Sequence, residues 1–159
     1  VPTLYTFQRL TRVEQLKTEG TLTASWTALS PFERAVYPSM VEAMRKAGIP
    51  IKNNPPIWAW TERPTLLDAA LLLNPEHELS KGYATIEFEA PENLTHLSDY
   101  SAWNDHMAEK LRNPTATWKQ KSKEGNQATL PWLSQEWVKE VRPLPTTGWN
   151  KTENLEKPA

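Results

Sequence analysis

The sequence predicts an α+β fold: one compact domain over residues 1–149, built of short mixed or antiparallel sheets with flanking helices, and a frayed tail over 150–159. Three observations carry that class. Tyr83 to Ala90 alternates strictly, with Ala84, Ile86, Phe88 and Ala90 on one face and Tyr83, Thr85, Glu87 and Glu89 on the other, so it reads as a strand. Ser30-Pro31-Phe32-Glu33 joins a cap, a first-turn proline and a carboxylate three residues on, so it reads as a helix start. No internal repeat or heptad pattern links the segments. At 159 residues the chain can bury about two thirds of its unfolded surface, enough for one real core.

Taken in order, Leu4-Tyr5-Thr6-Phe7-Gln8 is rich in strand formers and opens the chain as a short strand. Thr11-Arg12-Val13-Glu14 has capping-box spacing, and Gly20 supplies the stop of a short helix. After Ser30, a helix carries Val36, Met40, Val41 and Met44 at core spacing until Gly48 and Pro50. Pro38 lies inside that pattern and predicts a kink or two segments, because it lacks an amide donor and crowds the preceding turn. Ile57-Trp58-Ala59-Trp60-Thr61 reads as a strand with both indoles on one face. Thr65 caps a helix through Leu71, which Asn74-Pro75 stops. Ser98 and Ser101 are alternative caps for a helix bearing Trp103, Met107 and Leu111. Beyond Thr115 the polar run Lys119 to Gln127 reads as exposed, and Ser134-Gln135-Glu136-Trp137 as the start of one more short helix.

Composition removes several classes of function. The net charge of −1 argues against a polybasic nucleic-acid coat, and no cysteine is present for disulfide, thiolate or Cys-type zinc chemistry. No apolar run approaches the roughly 20 residues that span a bilayer, and Val1 to Leu10 lacks the character of a secretory leader. The expectation is a cytoplasmic protein without a membrane partner. With no Gly-x-Gly pair, ordinary Rossmann and Walker-type phosphate loops are absent. His77, His96 and His106 have no ligand spacing among them, so no metal is expected.

Eight tryptophans in so small a chain have two readings: rings that fill the core, or flat faces for stacking a base. Glu87 and Glu89 project from one strand face roughly 7 Å apart. Such a pair serves as general acid and base or stabilises a developing oxocarbenium ion; the plain alternative is the solvated face of an antiparallel strand. Arg63 follows the tryptophan strand and is suited to a phosphate or carboxylate beside a stacking ring. Asp99, in Ser98-Asp99-Tyr100, either hydrogen-bonds a ribose or begins a helix. Lys110, Arg112, Lys119, Lys121 and Lys123 around Trp118 form either a strand-binding patch or a solvated loop.

Two segments carry a resemblance. Tyr37-Pro38-Ser39-Met40-Val41-Glu42-Ala43-Met44 runs to Pro56-Ile57-Trp58-Ala59-Trp60. Ile86-Glu87-Phe88-Glu89 is then followed by Leu97-Ser98-Asp99-Tyr100 and Trp103. Together they resemble an uncharacterised bacterial and phage family marked by a Pro-Ile-Trp-Ala-Trp box, a likeness spanning roughly residues 3–112 that implies no activity. Leu4 to Leu10 with Leu16 and Gly20, and then Trp58-Ala59-Trp60-Thr61-Glu62-Arg63-Pro64, are similar in layout to the ADP-ribosyltransferase-like superfamily of the DNA-targeting toxin type. Thr6 or Gln8 stands where that superfamily has its first-strand histidine. Glu87, Glu89 and Glu136 are the candidates for its catalytic glutamate.

The leading expectation is therefore a small intracellular enzyme acting on a nucleotide, dinucleotide or nucleic-acid base by glycosidic-bond cleavage or ADP-ribosyl-type transfer, with NAD as the implied cofactor. Glu87 and Glu89 are its catalytic candidates. Gln8, Trp58, Trp60, Arg63, Asp99 and Trp103 are its substrate-binding candidates, in a cleft between two short sheets. The alternative is a non-catalytic module of phage or mobile-element origin that binds nucleic acid or a host protein.

Overall fold

A computed structural model describes residues 1–120 and 124–159. The protein is α+β, with four helices and mostly antiparallel strands among the described residues. The chain divides into two compact units, each assembled from separate stretches: residue 1, 23–59 and 90–133 form the first, and 2–22, 60–89 and 134–159 the second.

In the first unit the long helix α2 (Pro31–Lys46) starts at Ser30, whose hydroxyl accepts from the Glu33 amide while Glu33 returns the bond to the Ser30 amide. Of the two outcomes expected at Pro38, a kink or two segments, the second does not occur: the helix runs through it as one element. Pro38 lies on the exposed side, so one lost hydrogen bond is set against burial of Val36, Met40, Val41 and Met44. Helix α4 (Tyr100–Arg112) is capped by Asp99, which accepts from the Ala102 amide at 2.8 Å, and by neither of the serines on each side. Trp103 packs with the buried face of α2 and with Ile49 and Ile51. The strands of this unit run in the order β5 (His96–Ser98), β6 (Gln127–Leu130), β3 (Ile57–Trp60), where Trp60 is counted with the second unit. Strand β6 is buried along its whole length, although Gln127 was expected to be exposed. Its polar side chains are satisfied from β5: Gln127 Nε2 donates to Ser98 Oγ at 2.8 Å and Thr129 Oγ1 to the His96 carbonyl at 3.4 Å. Gly125 has no side chain because a Cβ there would collide with the Ser98 backbone.

In the second unit, Trp60 of β3 pairs with β1 (Thr3–Arg9), β1 with β4 (Tyr83–Glu89), and β4 with β8 (Val138–Pro143), all antiparallel. Helix α1 (Leu10–Glu19) follows β1 without a side-chain cap, so the Thr11–Glu14 box does not form; it ends at Gly20, whose φ of 83° suits a residue without Cβ. Strand β2 (Thr21–Leu22) and strand β7 (Leu133–Ser134), of which Leu133 is counted with the first unit, make a separate small sheet. Helix α3 (Leu66–Leu72) begins with the capping box Thr65–Asp68. The expected helix after Ser134 is a single 3-10 turn, Gln135–Trp137, that leads into β8.

Within residues 150–159, expected to fray, the stretch 155–159 is docked. The Leu66 amide donates to the Lys157 carbonyl, Leu67 to Leu155, and Ala159 to Pro64, each at 2.9 Å. Ala159 is fully buried in a cluster with Leu66, Ala69, Leu79, Tyr83 and Leu144. Helix geometry leaves the first amides of α3 without partners, and this segment supplies them.

Candidate functional site

Antiparallel register fixes which side chains of the second unit share a face. Tyr5 stands opposite Trp60 on one side and Glu87 on the other, and Glu87 stands opposite Glu140. Because side chains alternate along each strand, Trp60, Tyr5, Glu87 and Glu140 form one row across four strands. The reverse face of β1 and β4 carries Leu4, Ile86 and Phe88, all fully buried, which holds the register.

Arg63 completes the row. It leaves the connection between β3 and α3, beside the buried Pro64 and just before the Thr65 cap. Its guanidinium carbon lies 4.8 Å from the Tyr5 ring centroid. Nη2 donates to Glu87 Oε1 at 3.2 Å and stands 3.9 Å from Glu140 Oε2, while Nη1 donates to the Ala159 carbonyl at 2.9 Å. The side chains of Arg63 and Glu87 are only 22% and 24% exposed, so the pair is largely shielded from water while Glu140 remains open. Burial first, and then the Glu87 carboxylate beside it, push the Tyr5 phenol upward, which keeps it protonated. An aromatic face, an indole, a guanidinium and two carboxylates thus share one patch, a donor set suited to a ligand with a planar ring and hydroxyl or anionic groups.

Three of the eight residues singled out from the sequence meet here: Trp60, Arg63 and Glu87. Glu89 lies one step further along the same face and pairs with Lys139 at 3.5 Å. Gln8 lies on the opposite face of β1, where its amide donates to Thr6 Oγ1 at 3.2 Å. Trp58, Trp103 and Asp99 belong to the first unit. Trp58 packs between Tyr37 and Trp103, with ring centroids 5.1 and 5.4 Å away, and Trp103 is 2% exposed. Asp99 serves as the α4 cap.

The basic run gains no stacking ring, because Trp118 packs edge-on against Trp103 at 5.3 Å and tilted by 51° against His106 at 5.4 Å. Lys110 donates to the Pro114 carbonyl and Arg112 pairs with Glu109. Lys121 and Lys123 lie outside the described residues.

Sequence reasoning missed Tyr5, Glu140 and the Ala159 carbonyl. For Glu140 the obstacle is a bulge: Phe88 pairs with Val138 and Glu87 with Glu140, leaving Lys139 as an extra residue. Val138 and Val141, three apart, consequently face the same side, a spacing that imitates a helix.

A second polar network was also invisible. Arg9 Nη2 pairs with Glu78 Oε2 at 2.7 Å, Arg9 Nε donates to the Tyr83 hydroxyl at 3.1 Å, and that hydroxyl donates to Glu78 at 2.7 Å. The Tyr83 and Arg9 hydrogen bonds hold the Glu78 carboxyl down at about 2.

Among the described residues no group of three or more acidic or histidine side chains is arranged to hold a metal, and no helix is long and apolar enough to cross a membrane. No protein-family model, curated protein or solved structure matches the chain.

Proposed function

We propose that the Trp60–Tyr5–Arg63–Glu87–Glu140 row is the active site of an enzyme that cleaves a glycosidic bond in a nucleotide, with NAD as the substrate to try first. The observation that supports this reading is the convergence, on one sheet face, of Trp60 and Arg63, three residues apart, with the Tyr5 ring and the shielded Glu87 carboxylate from two other stretches of chain. Trp60 supplies a face for the planar ring, Arg63 a donor for phosphate or ribose oxygens, and Glu87 a fixed negative charge beside the sugar. As the bond from the anomeric carbon to the nicotinamide nitrogen breaks, nicotinamide leaves as a neutral molecule with the bonding electrons. The positive charge left on the sugar is stabilised by Glu87. Water or an acceptor hydroxyl then bonds to that carbon and releases its proton.

Nicotinamide release, followed by chromatography, tests the reading. The unaltered protein is expected to turn NAD over. Glu87→Gln, which keeps size and hydrogen-bonding ability but not charge, is expected to slow it by about 100-fold with little change in melting temperature. No turnover and no binding of NAD or mononucleotides overturns the proposal and leaves the binding-module alternative.

A further inference from the structure

We infer that residues 155–159 act as a strap over Arg63: the strap opens independently of the rest of the second unit, and its opening frees Arg63 for an anionic ligand. The ligand part of this inference rests on the function proposed above; the opening does not.

The strap is held almost entirely by its backbone. Its attachments are Leu66 N–H to the Lys157 carbonyl, Leu67 N–H to Leu155, Ala159 N–H to Pro64, and an isolated antiparallel bridge between Thr65 and Pro158. Glu156, Lys157 and Pro158 are exposed, Leu155 is half-buried, and only Ala159 is sealed, its methyl group resting among Leu66, Ala69, Leu79, Tyr83 and Leu144. Main-chain bonds thus hold it to the start of α3 and to Pro64, and one small pocket holds the Ala159 methyl group. When it lifts, the Leu66 and Leu67 amides pass to water and are not left buried and unpaired, so the open form carries no orphaned donor. Its apolar anchors are one sealed methyl group and one half-buried leucine, and the Leu67 and Lys157 ends of its bonds lie at the surface, which marks a segment that opens locally.

Arg63 is the link between strap and site. Nη1 is bound to the Ala159 carbonyl and Nη2 to Glu87, so lifting the strap frees one edge of the guanidinium while the other stays in the row. While the strap is down, the Ala159 oxygen occupies that edge of the guanidinium, so a phosphate that uses the edge binds the open form only. An anionic ligand therefore has the difference in affinity between open and closed forms that population shift requires.

Hydrogen exchange followed by NMR on the full chain, with ADP as the probe, tests this in two parts. Without ligand, the Leu66, Leu67 and Ala159 amides are expected to exchange at least 100-fold faster than the Leu73 amide and the β1–β4 ladder, at a rate insensitive to low denaturant. Exchange of all of them at the global unfolding rate overturns the strap. In Ala159→Arg, whose side chain has no room in the Ala159 pocket, those amides are expected to lose protection, the Arg63 Nε–H signal to shift, and ADP to bind about tenfold more tightly. An Ala159→Arg protein that stays folded and binds ADP no better than the unaltered chain also overturns it. If ADP binds neither form, the nucleotide reading falls, and the exchange rates and the Arg63 signal alone decide the strap.

Discussion

Both units are rich in aromatic side chains, and they use them differently. In the first, Tyr37, Trp58, Trp103, His106 and Trp118 contact one another at 5.1–5.4 Å around a fully packed Trp103. In the second, Tyr5 carries Arg63 on its face and stands in register with Trp60 and Glu87. Trp58 and Trp60 leave the same strand two residues apart, yet one packs between rings and the other adjoins an ion-paired row. What separates core from site is whether the neighbours bring charge: a ring surrounded by rings stabilises the fold, whereas a ring beside a guanidinium and a carboxylate can serve a ligand.

The largest effect that can break this comparison is on stability. Trp103→Ala is expected to cost about 3–5 kcal/mol through the cavity it leaves, and the half-buried Trp60→Ala only about 1 kcal/mol. Thermal melts of the two variants decide it; equal losses would place Trp60 in the core as well.

Acid is expected to act on the two units in turn. In the first, burial, joined for His106 by the Lys110 ammonium one turn along α4, holds the His96 and His106 imidazoles below the ordinary histidine value. Nε2 of His106 has no hydrogen-bond partner among the described residues to favour its protonated form. The unfolded chain then takes up protons that the folded form refuses. This contribution is full above about pH 6.5 and is lost as the pH falls below it. In the second unit Glu78 is held at about 2, so its contribution is full above the ordinary carboxylate range and is lost as the pH falls from about 5 through 2. Indole NMR signals of Trp103 and Trp118 should therefore respond at higher pH than those of Trp60 and Trp149. Glu78→Gln should remove part of the later step only. One coincident transition for all the indoles would contradict the division.

The smallest effect separates the two capping boxes. Ser30→Ala is expected to lower stability by about 1 kcal/mol. Thr65→Ala should cost only a few tenths, because carbonyls of Leu155 and Lys157 already serve the first turn of α3. Equal shifts in melting temperature would mean that those bonds contribute nothing.

Elements whose signals are local are legible in the sequence. Ser30–Glu33 and Thr65–Asp68 each satisfy their helix start within four residues, and Ala84, Ile86, Phe88 and Ala90 are buried as the alternation requires. Strands β5, β6 and β8 were not readable. Gln127 and Thr129 are polar residues that become buried only because Ser98 and His96, some thirty positions earlier, supply their partners. In β8 the extra residue Lys139 erases the period-two pattern.

The candidate site divides along the same line. Trp60, Arg63 and Glu87 stood out by residue type and by their places beside strong local signals. Their meeting depends on pairing Tyr5 with both Trp60 and Glu87, and on Ala159, 96 residues from Arg63, reaching its guanidinium. By itself the sequence determined the α+β class, two capped helices, the alternating strand and the absence of glycine phosphate loops, since each depends on contacts within a few residues. Only the tertiary structure decided which tryptophans are core, which carboxylate Arg63 holds, and that residues 155–159 are docked. Those outcomes depend on pairings between distant stretches, for which short-range pattern carries no information.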